Sequence, residues 1–166
     1  MRAELAAADA MVPGSDGVSS RGALLAQVVV VKGLAGPAEA SGKPALSGPD
    51  GEAAVKALTA LGHDPESVFF TLSRPVSDGD DERFAARMRL QLESVDPELV
   101  VAVDAEAARD VAAALGMQPF AFGEMVRIDG RRVVACDNLE ASLSDPKRKQ
   151  RVWAQLKCAV PPGPVY

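Results

Sequence analysis

The sequence predicts an α/β domain, three layers deep, with helices on both faces of a central, mostly parallel four-stranded sheet. Three observations carry this reading. Short unbroken apolar runs at residues 26–31 (AQVVVV), 68–71 (VFFT) and 99–103 (LVVAV) read as strands buried on both faces, the habit of parallel sheets. The first two of these runs are each separated from the next by a stretch with apolar residues at helical spacing. Alternation of strand and helix with right-handed crossovers then puts helices on both sides. The 166 residues are one domain's worth, enough to bury a core without disulfide or metal support.

Residues 1–25 read as a helix over 2–11 and a Gly/Ser-rich linker, with Pro13, Gly14 and Gly17 stopping any longer helix. Residues 26–158 form the domain, and 159–166 an irregular tail. After the first strand comes a long Gly/Pro/Ala loop, residues 32–51, where α/β proteins keep their sites. Asp50 is placed to cap a helix over 52–61 that Gly62 ends, with Val55, Leu58 and Leu61 as its buried stripe. The polar loop SRPVSDGDD leads to a helix over 82–95, burying Phe84, Met88, Leu92 and Val95. Asp104 caps residues 105–115 and Gly116 closes them. Asp129-Gly130 between residues 125–128 and 132–135 signals a hairpin. Asp145-Pro146 starts the last helix, which runs to about residue 158 and is expected to bury Val152, Trp153 and Leu156.

Net charge is −5, which argues against a dominant nucleic-acid surface. The charge is uneven, however: residues 127–157 hold eight Lys/Arg against four Asp/Glu. Lys147, Arg148, Lys149 and Arg151 of this segment, and Lys43 in the loop after the first strand, are candidates for contact with phosphate or an acidic protein partner, against the plainer reading of solvated surface cations. No apolar run approaches the ~20 residues of a membrane span. The first residues carry acids and lack a leader's apolar core, so a reduced cytoplasmic protein without a membrane partner is expected. Gly33, Gly36, Gly42 and Gly48 fit neither phosphate-loop spacing, and no cofactor is expected. His63 reads as a helix-end cation, Lys32 as a surface lysine, and Cys136 and Cys158 as small core hydrophobes.

Two blocks of the chain carry a resemblance to a known family. The first is VVVVKGLAGPAEASGKPALSGPDG, residues 28–51. It is similar to a strand running into Gly-Glu-x-Pro-Gly and then Gly-Arg-Pro-Phe-x-Gly, with Gly36 on the last Gly of the first motif and Gly42, Lys43 and Pro44 on Gly-Arg-Pro. The second is VVACDNLEASLSDPKRKQRVWAQLK, residues 133–157. It is similar to a strand, His-Pro-Ser and Ala-Leu-Leu-Arg-Asp-Pro, with Ala141, Leu143, Asp145, Pro146, Trp153, Leu156 and Lys157 in matching places. Together the blocks resemble the uracil-DNA glycosylase superfamily, in its bacterial and archaeal iron-sulfur branch; the resemblance covers roughly residues 26–158 in order and implies a glycosylase-like fold.

It departs from the family where the family does its chemistry. Cleaving an N-glycosidic bond needs a polar group to order water, side chains that hold the extruded base, and a donor for the leaving base. The resemblance places Gly33 where the family has an acid, Ala45 where a Phe stacks on the base, Leu72 where an Asn reads it, and Asn138 where a His faces the bond. The branch also uses four cysteines, whereas this chain has two and none before Cys136, so no metal is expected. The functional expectation is a catalytically degraded, DNA-repair-related domain, a pseudoenzyme acting as a binding or structural module through protein contacts. The alternative is residual or altered uracil excision using Asn138 with Asp137 or Glu140 and the basic segment to hold DNA. Binding of a free base or nucleotide is a third possibility.

Overall fold

The computed structural model describes residues 1–11, 17–76 and 78–163. Pro13 and Gly14, expected as helix breakers, and the end of the tail, residues 164–166, lie outside them. In chain order the described residues form α1 (Arg2–Ala10), β1 (Arg21–Gly22), β2 (Val28–Lys32), α2 (Pro37–Ala40), α3 (Pro49–Ala60), β3 (Val68–Leu72), α4 (Asp81–Val95), β4 (Leu99–Ala102), α5 (Ala105–Leu115), β5 (Val126–Ile128), β6 (Arg131–Ala135), α6 (Leu139–Ser142) and α7 (Pro146–Leu156).

The fold is α/β, but the sheet has six strands and is mixed, in the order β1-β3-β2-β4-β6-β5. The inner four run parallel: β2 pairs with β3 and β4, and β4 with β6. Both edges are antiparallel. On one side the hairpin strand β5 pairs with β6; on the other, β1 lays Arg21 opposite Phe70. The edge strand β1 was not foreseen, because Arg21-Gly22 carries no apolar pattern. It is held instead by contacts distant in sequence: Arg21 Nε donates to the Ala45 carbonyl at 2.8 Å and its guanidinium lies 4.0 Å over the Phe70 ring. The stretch read as a linker is therefore tied to the sheet at residues 21–22.

Alternation along the strands divides the core in two. Val28 and Val30 face a layer containing Leu58 of α3, Leu139 of α6, and Val152 and Leu156 of α7. Val29 and Val31 face Met88, Leu92 and Val95 of α4 and Val111 of α5. The α4 stripe Phe84, Met88, Leu92 and Val95 is buried as its spacing predicts. So are the Asp104 cap, whose carboxylate accepts from Ala107 N at 2.8 Å, and the Asp145-Pro146 start of α7. Asp129 (φ 49°) and Gly130 (φ 78°) make the hairpin turn with the left-handed pair that two-residue hairpins require.

Three expectations fail. Asp50 does not cap α3; Gly48 does, and Asp50 sits inside the first turn. Of the expected α3 stripe Leu58 is buried, joined by Ala54, while Val55 and Leu61 pack against the same core but are only partly buried. Trp153 is 36% exposed: Val152 and Leu156 take the inward positions of α7, and the indole lies along the outer flank. In addition, His63 does more than follow the end of α3. It is buried, and its Nε2 donates to the Ala159 carbonyl at 2.6 Å, fastening the start of the tail.

Candidate functional site

Ligands of open α/β sheets bind beyond the carboxyl ends of the strands, where the chain changes from one face to the other. Here that place is β2/β4. The connection from β2 to β3 runs through α3 on one face, and that from β3 to β4 through α4 on the opposite face. The sequence predicted its candidate residues at these strand ends, and the structure brings many of them there.

Gly33 follows β2 directly. Its N–H donates to Asp104 Oδ2 at 3.0 Å, and its carbonyl accepts from Arg74 N at 3.0 Å. A side chain at Gly33 would overlap the Glu106 Cβ, and its Cβ would lie 2.8 Å from Asp104 Oδ1. The space an acidic residue would need is taken by the N-cap of α5. Burial pushes the Asp104 carboxyl up from its usual range, and the N–H groups of Ala107 and Gly33 pull against that shift. The crevice between β2 and β4 is thus bridged by a carboxylate from one side to a backbone N–H on the other.

Lys32, expected at the surface, is 3% exposed. By strand alternation it lies on the Val28/Val30 face, under α2, α3 and α6. Its Nζ reaches Asp50 Oδ2 at 2.7 Å, Glu39 Oε1 at 2.9 Å and Glu140 Oε2 at 3.1 Å. Burial alone would lower its pKa, but the hydrogen bonds it donates to Asp50, Glu39 and Glu140 outweigh it and hold the ammonium above the usual lysine value. The carboxylates are fixed in turn: Glu39 Oε1 accepts from Leu46 N and Asp50 Oδ1 from Gly51 N. Glu39 Oε2 is buried with no partner among the described residues. Sequence reasoning missed this cluster because its members come from four separate elements. The one local signal was a lysine ending an otherwise apolar strand.

Glu140, a candidate for ordering water, is turned inward to this lysine and packs over Gly36, whose Cβ, if present, would stand 2.6 Å from Lys32 Nζ. Asn138 is the N-cap of α6, with its Oδ1 accepting from Ala141 N at 3.0 Å. Asp137 accepts from Arg148 Nε at 3.0 Å and Nη2 at 3.1 Å, with Arg151 Nη1 at 3.4 Å. The Arg148 hydrogen bonds hold its carboxyl below the usual range. Arg148 is therefore an internal partner of Asp137 as well as a surface cation. Ala45 and Leu72 are fully buried; the Leu72 carbonyl accepts from Arg87 Nη1 at 2.7 Å. Lys43, Lys147, Lys149 and Arg151 are exposed.

Beside Gly33 on the other face lies a second ion-pair group. Arg74 donates to Asp110 through Nε (2.9 Å) and Nη2 (3.0 Å) and to Asp81 at 2.8 Å, while Ser73 Oγ donates to the same Asp110 at 2.6 Å. Between α3, α6 and α7 lies an open hollow of about 540 Å³, lined by Ala53, Ala57, Leu143, Val152 and Trp153 among others.

The residues present do not fit an iron-sulfur cluster, which takes four thiolates. Cys136 is buried, Cys158 is exposed, and no other cysteine exists. No helix among the described residues is long and apolar enough to cross a membrane. No protein-family model and no curated protein matches the chain. The account of the site therefore rests on its own geometry, in which the polar groups at the strand ends bond to one another.

Proposed function

We propose that the chain is a catalytically degraded uracil-DNA-glycosylase-like domain that works as a binding or structural module through protein–protein contacts. One observation carries this reading: the groups that would do glycosylase chemistry are committed internally. Asn138 caps α6. Asp137 is paired with Arg148, and Glu140 with Lys32. The acid position is Gly33, closed by Asp104. Ala45 and Leu72 are buried in the core and offer neither a stacking ring nor an amide to a base.

Losing a single well-placed donor typically costs about 10²–10³ in rate, and here the water, stacking and base-reading roles lack their side chains together. The test is incubation of the protein with single-stranded and duplex uracil-containing DNA, followed by alkaline cleavage of abasic sites. No cleavage above buffer is expected. Turnover that disappears in Asn138→Ala would overturn the reading and establish the glycosylase alternative.

A further inference from the structure

We infer that the trough between α3 and α7 is a docking groove for an acidic amphipathic helix of a partner protein. The inference rests on the reading of the chain as a protein-binding module. It adds the place on the surface and the chemistry of the occupant.

The groove follows from the packing of the two helices. Helix α3 turns Ala53, Ala57 and Ala60 toward α7, and side chains this small leave the approach unfilled. Helix α7 spends Val152 and Leu156 on the core and leaves Trp153 along the side. Beside the resulting hollow of about 540 Å³ lies a second one of about 510 Å³, which shares Leu143, Lys149 and Trp153 with it and includes Pro146 and Gln150. An exposed tryptophan beside an apolar trough is the usual anchor of a protein interface.

The charge around the trough selects the partner. Lys56 of α3 and Lys149 of α7 both line it, both are exposed, and neither makes an ion pair among the described residues. Helix α7 carries no acid, and of its cations Arg148 and Arg151 are engaged by Asp137 while Lys147 and Lys149 are not; Glu52 is the acid in the lining. An amphipathic helix with apolar side chains at i, i+3 or i+4 and i+7 suits such a groove, and acids on its flanks would meet Lys56 and Lys149. A nucleic-acid backbone would use the lysines but leave the apolar floor exposed to water. A second copy of this chain is a poor match: its densest acids, Asp78, Asp80, Asp81 and Glu82, lie at the start of α4, whose apolar face is buried.

Trp153, the sole tryptophan, supplies the readout. The full chain is titrated with a synthetic helical peptide of about 15 residues bearing Leu at those spacings and Glu elsewhere. A peptide with Lys in place of Glu and a 20-base-pair DNA duplex run in parallel. The expected result is a saturable blue shift of Trp153 emission with the acidic peptide, weakened by salt, and about tenfold weaker binding in Lys56→Glu/Lys149→Glu. Circular dichroism confirms that this surface variant is folded. The inference is overturned by an absence of acidic-peptide binding, by equal binding of the basic peptide, by unchanged affinity in the double variant, by tighter binding of DNA through the same lysines, or by concentration-dependent dimerisation that occupies Trp153. Uracil excision is measured separately: activity would overturn the non-catalytic reading, whereas failure of the peptide with excision silent would overturn the groove alone.

Discussion

The Lys32 ammonium lies 2.7 Å from the Asp50 carboxylate, and both side chains are almost fully buried. With Glu39 at 2.9 Å, the pair joins the end of β2 to α2 and α3 across what would otherwise be an open strand end. A buried ion pair adds little over a hydrophobic replacement, but removing one partner leaves an uncompensated charge. Lys32→Met should therefore cost about 3–5 kcal/mol, read as a lower denaturant midpoint. Glu39→Gln, whose carbonyl can keep both bonds of Oε1, should stay within about 1 kcal/mol of the parent. Equal losses in the two variants would mean that the charge of Lys32 is not what matters.

The same lysine sets an expectation at alkaline pH. Burial would lower its folded pKa, but the hydrogen bonds it donates to Asp50, Glu39 and Glu140 outweigh that and raise it. A raised lysine contributes stability that is fully present below its unfolded value, ~10.4, and is lost as pH rises through the folded one. The stability gap between parent and Lys32→Met should stay constant from neutral pH to about 10. A gap that closes by pH 9 would contradict the geometry.

Asp137 gives the opposite case. Hydrogen bonds from Arg148 depress its carboxyl, so its contribution is present above the ordinary aspartate value and disappears as pH falls through the lower folded one. In an NMR titration the Asp137 carboxyl should have its midpoint below ~3.9 and move upward in Arg148→Ala. An unmoved midpoint would show that the pair does not form in solution.

The two cysteines should differ sharply toward a thiol reagent. Burial pushes the Cys136 thiol up to about 12, whereas Cys158 is exposed. At pH 8 one equivalent should react quickly, at Cys158, and the second only on unfolding. Two fast equivalents would mean that the β6 end is open.

Trp153→Ala should be mild. The loss of a fully buried tryptophan runs about 3–5 kcal/mol. With Trp153 36% exposed, a loss nearer about 1–2 kcal/mol is expected from the smaller area removed from water. Thermal unfolding decides between the two values.

On the glycosylase-like reading proposed above, placing an acid at the strand end should not create uracil-excising chemistry. Gly33→Glu brings a Cβ against the Asp104 carboxylate and the Glu106 side chain at the start of α5, so destabilisation without uracil excision is expected. A stable variant with new excision activity would mean that Asp104 yields its place readily.

The division between sequence and tertiary structure follows range. The inner parallel strands, the α4 stripe, the Asp104 and Asp145 caps and the Asp129-Gly130 turn were legible because each depends on neighbours within a few residues: strand burial on period and branching, caps on one carboxylate and the next N–H groups, the turn on two left-handed residues. What the sequence left open depends on partners distant along the chain. Arg21-Gly22 is a strand because Phe70 and the Ala45 carbonyl are beside it. Lys32 is buried because Glu39, Asp50 and Glu140 surround it. Asp50 serves that lysine instead of capping α3. Trp153 lies outward because Val152 and Leu156 already fill the layer beneath α7. Burial of a polar side chain is decided by whether compensating charges arrive from other elements, and only the folded chain sets that. Hence the strand-end residues were named from the sequence, while their commitment to one another, which makes the site silent in this reading, was decided by the tertiary structure.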